Sequence, residues 1–304
     1  MIKIKTENLT KVYNGNKAVD SLNLEIAEGD IFGFLGPNGA GKSTTILMLV
    51  GMIEPTEGKC FINDIEVARN PLEIKKIIGY LPEDVGFYGN MTAEQNLDYF
   101  ARFYEMDARE RKKRIEELLE LVQLAGVSQK VGGYSRGMNQ RLGLAQALLN
   151  DPEVLFLDEP TANLDPEGVF QYRELVKQLS DEGKTIFISS HILSEVSKVC
   201  KTIGIISKGK LIAYGTFEEL KKELRHLTEN LRIIVETLEP LPEIEHEDII
   251  SAEYNENKRK VIIEAKSDIR DYISSRLFEN GVRIKEMRVE EPTLEDIFLS
   301  VYQG

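Results

Sequence analysis

Cysteine and tryptophan are scarce in this sequence of 304 residues, which contains two cysteines and no tryptophan. Cys60 and Cys200 are far apart in the chain and have no CxxC spacing. The sequence therefore excludes a framework of several disulfides and gives no sign of a cysteine zinc site. We expect two buried or half-buried thiols in a reducing compartment.

Long apolar runs and an excess of positive charge are also missing. The most apolar stretch, residues 46–53, falls well short of the roughly 18 apolar residues that a transmembrane helix needs. The amino terminus alternates charged and apolar residues, so we expect a first strand there and no signal peptide. The formal net charge of -13 works against non-specific binding to nucleic acid, whose affinity comes from Lys and Arg contacts with phosphates. We therefore expect no nucleic-acid partner, and any membrane-spanning part must belong to another chain.

Two regions alternate buried strands with helices. Residues 2–35 predict strands that end in an apolar run, followed by a glycine-rich loop and a helix. The strand 154–157 precedes a helix from about residue 167, and the strand 185–188 precedes a helix from about residue 193. We therefore expect an α/β fold in which helices flank a parallel sheet.

The segment from Thr92 to Leu149 has a helical pattern instead. Its apolar side chains recur at the spacing of one helix face, in Ile115, Leu118, Leu119 and Val122. We interpret the charged run 109–114 beside this stripe as a solvated helix face. A helical subdomain is therefore predicted over about residues 92–150.

The pattern changes again after Lys221, where Pro240 and Pro242 interrupt the chain. We predict a hairpin, a helix, a strand and a last helix, over residues 249–254 with 260–265, 268–280, 282–289 and 293–301. The length of 304 residues fits one large unit plus a small one. We therefore predict a main domain over residues 1–224 and a small C-terminal α/β domain over residues 225–304.

A phosphate-binding loop follows the strand that ends at Leu35. The sequence GPNGAGKST fits the pattern GxxxxGK[ST] and lies between a strand and a helix, the context that gives the pattern its meaning. Its members are Gly36, Pro37, Asn38, Gly39, Ala40, Gly41, Lys42, Ser43 and Thr44. The glycines let backbone N–H groups point at phosphates, and the following helix adds its positive amino-terminal end. Lys42 would supply charge to the β- and γ-phosphates and Ser43 an oxygen to Mg²⁺; the alternative is an ordinary glycine-rich turn.

Two carboxylates end the buried strand that begins at Val154. Asp158 is predicted on the metal side, at the edge of the sheet where an acidic group meets Mg²⁺. Glu159, one position farther, is predicted to orient or deprotonate the attacking water. Taken alone, the pattern also describes a strand that runs out into solvent, but beside the phosphate loop it predicts nucleotide hydrolysis.

Residues 134–138 separate the candidate classes, because the two motifs above would serve a kinase, a GTPase or a recombination ATPase equally well. Their sequence YSRGM, followed by NQRLGLAQAL and then the acidic strand, resembles the signature LSGGQ of ATP-binding-cassette (ABC) ATPases. Motif order and spacing agree with this family along roughly the first 220 residues. The resemblance implies an α/β P-loop NTPase with a β subdomain and a helical subdomain. It also implies hydrolysis of ATP, with ATP and Mg²⁺ as cofactors.

The resemblance assigns roles to residues outside the two motifs. Tyr13 matches the aromatic residue that stacks on adenine, and Asp165 lies in a segment that resembles the loop communicating across the dimer. Ser135 and Gly137 match the positions that meet the γ-phosphate of ATP bound by the opposite subunit. His191 matches the switch histidine that reaches the γ-phosphate. For Tyr13 and His191, an ordinary structural role at the end of a strand is the alternative.

Two departures from the family pattern bear on these roles. Glu83 stands where many members have Gln, so a carboxylate oxygen would take the place of an amide oxygen toward Mg²⁺ or water. The signature lacks its first glycine and its final glutamine. Arg136, in place of that glycine, is compatible with a charge beside phosphate and equally with a solvent-facing helix residue.

The end of the chain narrows the resemblance. Residues 291–299 (EPTLEDIFL), with the YLPE and YSRGM segments, resemble drug-efflux and related ABC-2-type exporter ATPases. Such a subunit works with a second ATP-binding subunit, here expected as a homodimer, and with an integral membrane permease. The resemblance therefore implies a location on the cytoplasmic face of the membrane and ATP hydrolysis that powers export.

Three alternatives differ in class. A soluble ABC ATPase serving ribosomes, DNA repair or iron–sulfur assembly would need no permease, although the single set of motifs and the acidic balance disfavour the translation type. A P-loop kinase or GTPase switch would have no use for the motif at residues 134–138. The predicted hairpin and helices of the C-terminal region would also suit a ligand-binding regulatory module.

Overall fold

The computed structural model describes residues 1–162, 164–223 and 231–290. The chain divides into two units, Met1–Phe217 and Glu218–Gly304. The predicted domain boundary at residues 224 and 225, the predicted helix 293–301 and the exporter-like ending lie outside the described residues. No helix within the described ranges combines the length and the apolar character needed to cross a lipid bilayer.

Ten strands and seven helices make up the described part of the first unit, apart from a 3₁₀ turn at Val131–Gly133. The strands are β1 (Ile2–Tyr13), β2 (Asn16–Ala27), β3 (Ile31–Leu35), β4 (Glu57–Ile62), β5 (Ile65–Glu66), β6 (Ile78–Leu81), β7 (Val154–Asp158), β8 (Thr185–Ser190), β9 (Thr202–Ser207) and β10 (Lys210–Thr216). The helices are α1 (Lys42–Leu49), α2 (Pro71–Ile77), α3 (Ala93–Ala101), α4 (Ala108–Leu121), α5 (Arg136–Ala147), α6 (Pro166–Asp181) and α7 (Leu193–Val196), and α8 (Phe217–Glu223) follows β10.

The predicted parallel sheet is confirmed. It has six strands in the order β10-β9-β3-β8-β7-β6, of which only β10 is antiparallel to its neighbour. Every residue of β3, β7 and β8 is buried, as expected of parallel strands covered on both faces. A second, antiparallel sheet has the order β2-β1-β4-β5. Because β3, β6, β7 and β8 run the same way, the segments that follow them emerge at one edge of the sheet.

The predicted helical segment is confirmed, and its helices begin at side-chain caps. Thr92 and Gln95 form a capping box at the start of α3, and Asp107 and Glu110 form one at the start of α4. The apolar stripe of α4 packs into a core that α3 and α5 share, with Ile115, Leu118 and Val122 buried and Leu119 partly buried.

The interpretation of the charged run 109–114 as a solvated face is wrong for two of its members. Arg111 Nε donates to Asp98 of α3 at 2.6 Å, and Arg114 Nη2 donates to the Leu148 carbonyl at 2.7 Å. Both side chains are mostly covered, with 17% and 26% exposure. They therefore join α4 to its neighbours, because a guanidinium can reach across a helix surface to a carboxylate or a free carbonyl.

Beyond α8, the described part of the second unit is an antiparallel sheet with one helix. Its elements are β11 (Leu231–Thr237), β12 (Ile249–Tyr254), β13 (Lys260–Ala265), α9 (Arg270–Glu279) and β14 (Ile284–Glu290), and its strand order is β12-β13-β11-β14. The predicted hairpin, helix and following strand are confirmed, whereas β11 was not predicted. This order is that of a ferredoxin-like split βαβ arrangement, with residues 238–248 in place of the first helix. Pro240 and Pro242 in that crossover explain why no helix forms there.

Candidate nucleotide-binding site

The phosphate loop joins β3 to α1 and depends on glycine at two places. A Cβ at Gly36 would lie 2.6 Å from the Ile206 carbonyl oxygen, and one at Gly41 would lie 2.4 Å from the Ala18 carbonyl oxygen. Gly41 also has φ = 111°, a conformation that residues with side chains rarely adopt. The loop is tied to the sheet because the Gly36 N–H donates to the Ser190 carbonyl at 3.1 Å.

Lys42 is the first residue of α1 and only 5% exposed. Its Nζ donates to the carbonyls of Gly36 at 2.7 Å and Pro37 at 3.1 Å. The same atom lies 3.0 Å from Glu159 Oε1. The first turn of α1 carries no acidic residue, so the positive end of the helix and the Lys42 ammonium face the loop together.

Asp158 and Glu159 follow one another at the end of β7, and both are buried. Asp158 Oδ1 accepts a hydrogen bond from Ser189 Oγ at 2.5 Å. Burial raises the pKa of Asp158 above its ordinary value, and the hydroxyls of Ser189 and Ser43 partly oppose this rise. The Ser43 hydroxyl thus lies near enough to the Asp158 carboxylate to affect its pKa.

Glu159 joins the loop to the end of β8. Its Oε2 lies 2.8 Å from Nδ1 of His191, whose side chain is 43% exposed. Its Oε1 is at ion-pair distance from Lys42 yet has no hydrogen-bond partner within the described ranges. Lys42, Ser43, Asp158, Glu159 and His191 thus form one group of side chains at the carboxyl edge of the sheet, which we call the edge cluster.

Ser135, Gly137 and Asp165 lie elsewhere, in a cleft of about 460 Å³ between α5 and α6 that we call the signature cleft. Its lining is Gln123, Ser135, Arg136, Gly137, Arg141, Leu164, Asp165, Glu167, Gly168, Gln171 and Tyr172, and includes no residue of the edge cluster. Ser135 caps α5 by accepting from the Met138 N–H at 3.2 Å. Asp165 caps α6 by accepting from the Gly168 N–H at 2.8 Å. Two helix amino termini therefore meet in this cleft.

The two helix ends differ in charge. At the amino terminus of α6, the negative charges of Asp165 and of Glu167 in the first turn offset the positive end of the helix. The first turn of α5 carries no acidic residue. Arg136 opens α5, is exposed and has no hydrogen-bond or ion-pair partner in the described part of the chain. Because a cation at a helix amino terminus is electrostatically unfavourable, this end of the cleft favours an anion supplied from outside the chain.

Comparison with known proteins gives the family. Residues 19–162 match the ABC transporter family, and residues 215–302 match the C-terminal domain of DrrA1-3-like ATP-binding proteins. The bacitracin transport ATP-binding protein BcrA of Bacillus licheniformis is 41% identical over an alignment of 322 positions, which covers 99% of this chain and 97% of that protein. The chain belongs to the ATP-binding proteins of ABC transporters. As a member of this family, it is an ATP-binding protein and an ATPase.

Further matches confirm the predicted family, the P-loop NTPase fold and the resemblance to drug-efflux subunits. The linearmycin resistance ATP-binding protein LnrL of Bacillus subtilis (strain 168) is 33% identical over 307 residues, which cover 98% of this chain and 97% of that protein. Among solved structures, the dimeric post-hydrolysis state of the ATP-binding cassette MJ0796 bound to ADP and Pi has a TM-score of 0.65 and 28% identity, covering 70% of this chain and 98% of that one.

Two predicted contacts of this ABC ATPase remain predictions. Tyr13 ends β1 with 45% exposure, and Lys11 Nζ lies 5.3 Å from the centre of its ring. Glu83 follows β6, the strand beside β7, so it emerges at the same edge of the sheet as Asp158. It is exposed and makes no hydrogen bond or ion pair within the described ranges. Its contact with a nucleotide-bound metal stays a prediction.

The residues at the edge of the sheet fit a magnesium ion that arrives with a nucleotide. No group of three or more His, Cys, Asp or Glu side chains suited to a metal occurs among the described residues. Mg²⁺ is commonly held by one or two protein oxygens together with phosphate oxygens and water. The Ser43 hydroxyl and the Asp158 carboxylate provide such a pair of oxygens.

Ser189 received no role from the sequence motifs. Its hydroxyl contacts both carboxylate residues at the end of β7, since it donates to Asp158 and accepts from the Glu159 N–H at 2.9 Å. The available signal was a serine directly after the predicted strand 185–188 and two residues before His191, at the same edge of the sheet as Asp158.

Proposed function

We propose that this ATPase powers export of a substrate through a separate membrane permease, working at the cytoplasmic face of the membrane as a homodimer that closes on two Mg²⁺-ATP molecules. One observation carries the proposal: the edge cluster and the signature cleft share no lining residue. If both groups contact one nucleotide, two copies arranged head to tail bring them together, each ATP lying between Lys42 of one subunit and Ser135 to Gly137 of the other.

The edge cluster supplies the chemistry of hydrolysis. The Lys42 ammonium and the positive end of α1 bind the phosphates, while Glu159 accepts the proton of the attacking water. Glu159 Oε1 is buried and has no hydrogen-bond partner in the described part of the chain, so it has an acceptor free for that water. When bound, Mg²⁺ would neutralise phosphate charge, with Ser43 and Asp158 as its protein ligands.

Reopening follows from loss of the γ-phosphate. In the proposed dimer this group is the one that both subunits contact, through Lys42 and His191 on one side and Ser135 and Gly137 on the other. Cleavage removes the shared contact, and the two subunits separate. Each turnover therefore changes the distance between the two subunits, and a permease bound to both can follow this movement.

A surface on the helical segment suits contact with the permease. A groove of about 670 Å³ runs along the start of α3 and is lined by Met91, Thr92, Glu94, Gln95, Asp98, Tyr99 and Arg102. Tyr88 and Phe103, with 44% and 74% exposure, both lie against Tyr99. Exposed aromatic side chains beside a groove are typical of protein interaction sites. The names of the relatives, bacitracin transport and linearmycin resistance, support export as the direction.

The test is a Glu159→Gln variant, which keeps the size of the side chain but cannot accept the proton. We expect phosphate release to fall by about 10²- to 10⁴-fold, the usual contribution of a general base. ATP binding should survive, so light scattering should show an ATP-dependent dimer in the presence of Mg²⁺. An inactive variant that stays monomeric at saturating ATP would contradict the dimer, and a fully active variant would contradict the assignment of the base.

The main competing function is an ABC ATPase without a permease. The same Glu159→Gln variant, co-expressed with a candidate permease, separates the two possibilities. For a transporter subunit, we expect the ATP-bound dimer to co-purify with a polytopic membrane protein in detergent. Recovery of the dimer free of that protein, together with wild-type ATPase activity that does not change when that protein is added, would favour the competing function.

A further inference from the structure

Ser189 occupies the point where the edge cluster is most tightly constrained. It is the fifth residue of β8, has no exposed surface and is paired directly with Asp158 in the parallel register of β7 and β8. Its Oγ is 2.5 Å from Asp158 Oδ1 and 2.9 Å from the Glu159 backbone nitrogen. One hydroxyl therefore contacts both carboxylate residues at the end of β7.

The direction of both hydrogen bonds is fixed by chemistry. The Glu159 N–H can only donate, so it must donate to Ser189 Oγ. The single proton of the Ser189 hydroxyl is then free to go to Asp158 Oδ1, which accepts. This arrangement occupies Oδ1 and leaves the other oxygen of Asp158 to other partners.

The bond to Glu159 acts on an unusual backbone. Glu159 has φ = 48°, in the left-handed region that residues with side chains enter only when their surroundings hold them there. Ser189 holds the nitrogen of this residue, while Lys42 and His191 lie beside its two carboxylate oxygens. A change in the backbone at Glu159 would swing the carboxylate away from both partners.

We propose that Ser189 is a positioning residue for ATP hydrolysis, an inference that rests on the function proposed above. It holds Glu159 in the left-handed conformation that aims the base, and it orients Asp158 by binding one of its oxygens. The neighbouring residues complete the role of this strand end: the Ser190 carbonyl holds Gly36 of the phosphate loop, and the His191 ring contacts the Glu159 carboxylate. Ser189 thus sets the spacing between the base and the metal side of the site.

The experiment compares Ser189→Ala with Thr185→Val in the full chain. Thr185 lies at the other end of β8, is equally buried, and its hydroxyl accepts from the Gly29 N–H at 2.9 Å, so this control also removes one buried acceptor. For Ser189→Ala we expect kcat to fall by about 10- to 100-fold, and the Mg²⁺ concentration for half-maximal rate to rise by about 10-fold, as for other groups that orient metal ligands. The Kd for ATP and the dimer formed with ATP should be retained. Thr185→Val should change thermal stability but neither kinetic quantity.

The outcomes separate the proposal from its alternatives. Normal kcat and Mg²⁺ dependence in Ser189→Ala would overturn it, as would a loss no greater than that of Thr185→Val at equal melting temperature. Should Ser189→Ala fail to fold, Ser189→Cys fills the same space with a much weaker donor and should be slow for the same reason; a fully active Ser189→Cys protein would overturn the proposal. A Glu159→Gln protein that hydrolyses ATP normally would instead refute the proposed base. A slow Glu159→Gln beside a fully active Ser189→Ala refutes only the positioning role.

Discussion

The edge cluster and the signature cleft carry complementary halves of the predicted nucleotide contacts. Within one chain, however, their side chains differ in burial and in the partners that they have. At the edge cluster, Lys42 and Glu159 are 5% and 7% exposed and lie against one another. In the cleft, Ser135 and Arg136 are exposed, and Arg136 has no partner among the described residues. The edge cluster is thus held together by bonds within one subunit, whereas the cleft presents donors and charge to something outside it. Variants that separate these two regions test the difference directly.

The largest effect is expected at the edge cluster, from Lys42→Ala. The change removes the charge on the β- and γ-phosphates, so turnover should fall by about 10²- to 10³-fold, the cost of losing one charge-stabilising donor. ATP affinity and phosphate release are the measurements. Lys112→Ala, a lysine of α4 with 71% exposure, is the control and should behave as wild type. Near-normal turnover in Lys42→Ala would contradict the assignment of the phosphate loop.

A selective effect is expected in the signature cleft, from Gly137→Ala. Among the described residues, a Cβ at Gly137 would meet only Leu164 Cδ2, at the ordinary distance of 3.6 Å, so the monomer should fold and bind ATP. In the closed dimer, the added methyl would keep the γ-phosphate from the backbone. We expect the Glu159→Gln dimer to weaken by about 10-fold, the value of one hydrogen bond to a charged group.

The control for this cleft variant is Gly86→Ala, where a Cβ would meet no atom of the described part of the chain within 4 Å. Light scattering across a range of protein concentrations, with and without Mg²⁺-ATP, measures dimerisation for both variants in the Glu159→Gln background. An equally stable dimer in Gly137→Ala would show that the cleft is not in contact with nucleotide.

The smallest effect is expected from an ion pair outside both regions. Lys3 Nζ donates to Glu153 at 2.6 Å and joins β1 to the start of β7. Lys3, and then Asn63, hold the pKa of Glu153 below its ordinary value of 4.5. Its contribution to stability is therefore present above about pH 4.5 and is lost as the pH falls through the lower folded-state pKa.

Chemical unfolding at pH 7 and pH 3 measures this term. Between these pH values, wild type should lose more unfolding free energy than Glu153→Gln, by at most about 1 kcal/mol because Glu153 is half exposed. Equal losses would mean that the pair contributes nothing measurable. Activity should be unaffected in either case, which distinguishes this pair from the buried Lys42 and Glu159.

Sequence motifs located both regions because each motif is local. The loop at residues 36–44 and the pair Asp158 and Glu159 are continuous stretches whose backbone context can be predicted from flanking strands and helices. The family resemblance assigned His191 to the γ-phosphate, whereas its contact with Glu159 is a finding of the structure. What could not be predicted is which side chains meet across the strands. Ser189 acts through register with β7, and register in a parallel sheet depends on the packing of the whole core.

The same limit explains the other errors of prediction. Arg111 and Arg114 look like members of a solvated charge run, and only the placement of α3 and α5 beside α4 gives them Asp98 and the Leu148 carbonyl as partners. In the second unit, β11 lies at Leu231–Thr237, close to the prolines that drew attention to a break. Its place between β13 and β14 comes from long-range pairing that a local pattern does not contain.

The contact between Lys42 and Glu159 makes ATP binding a competition between two anions for one ammonium group. Within the chain, the Glu159 carboxylate compensates the charge of the buried Lys42 ammonium, and an incoming phosphate must take the place of this carboxylate. The apparent affinity for ATP is therefore the difference between two attractions to the Lys42 ammonium, that of the phosphate and that of the Glu159 carboxylate. Neutralising the carboxylate removes the competing attraction. The accumulation of ATP-bound dimers that we expect for Glu159→Gln then has two separate causes. The chemical step is slower, and ATP is bound more tightly before that step begins.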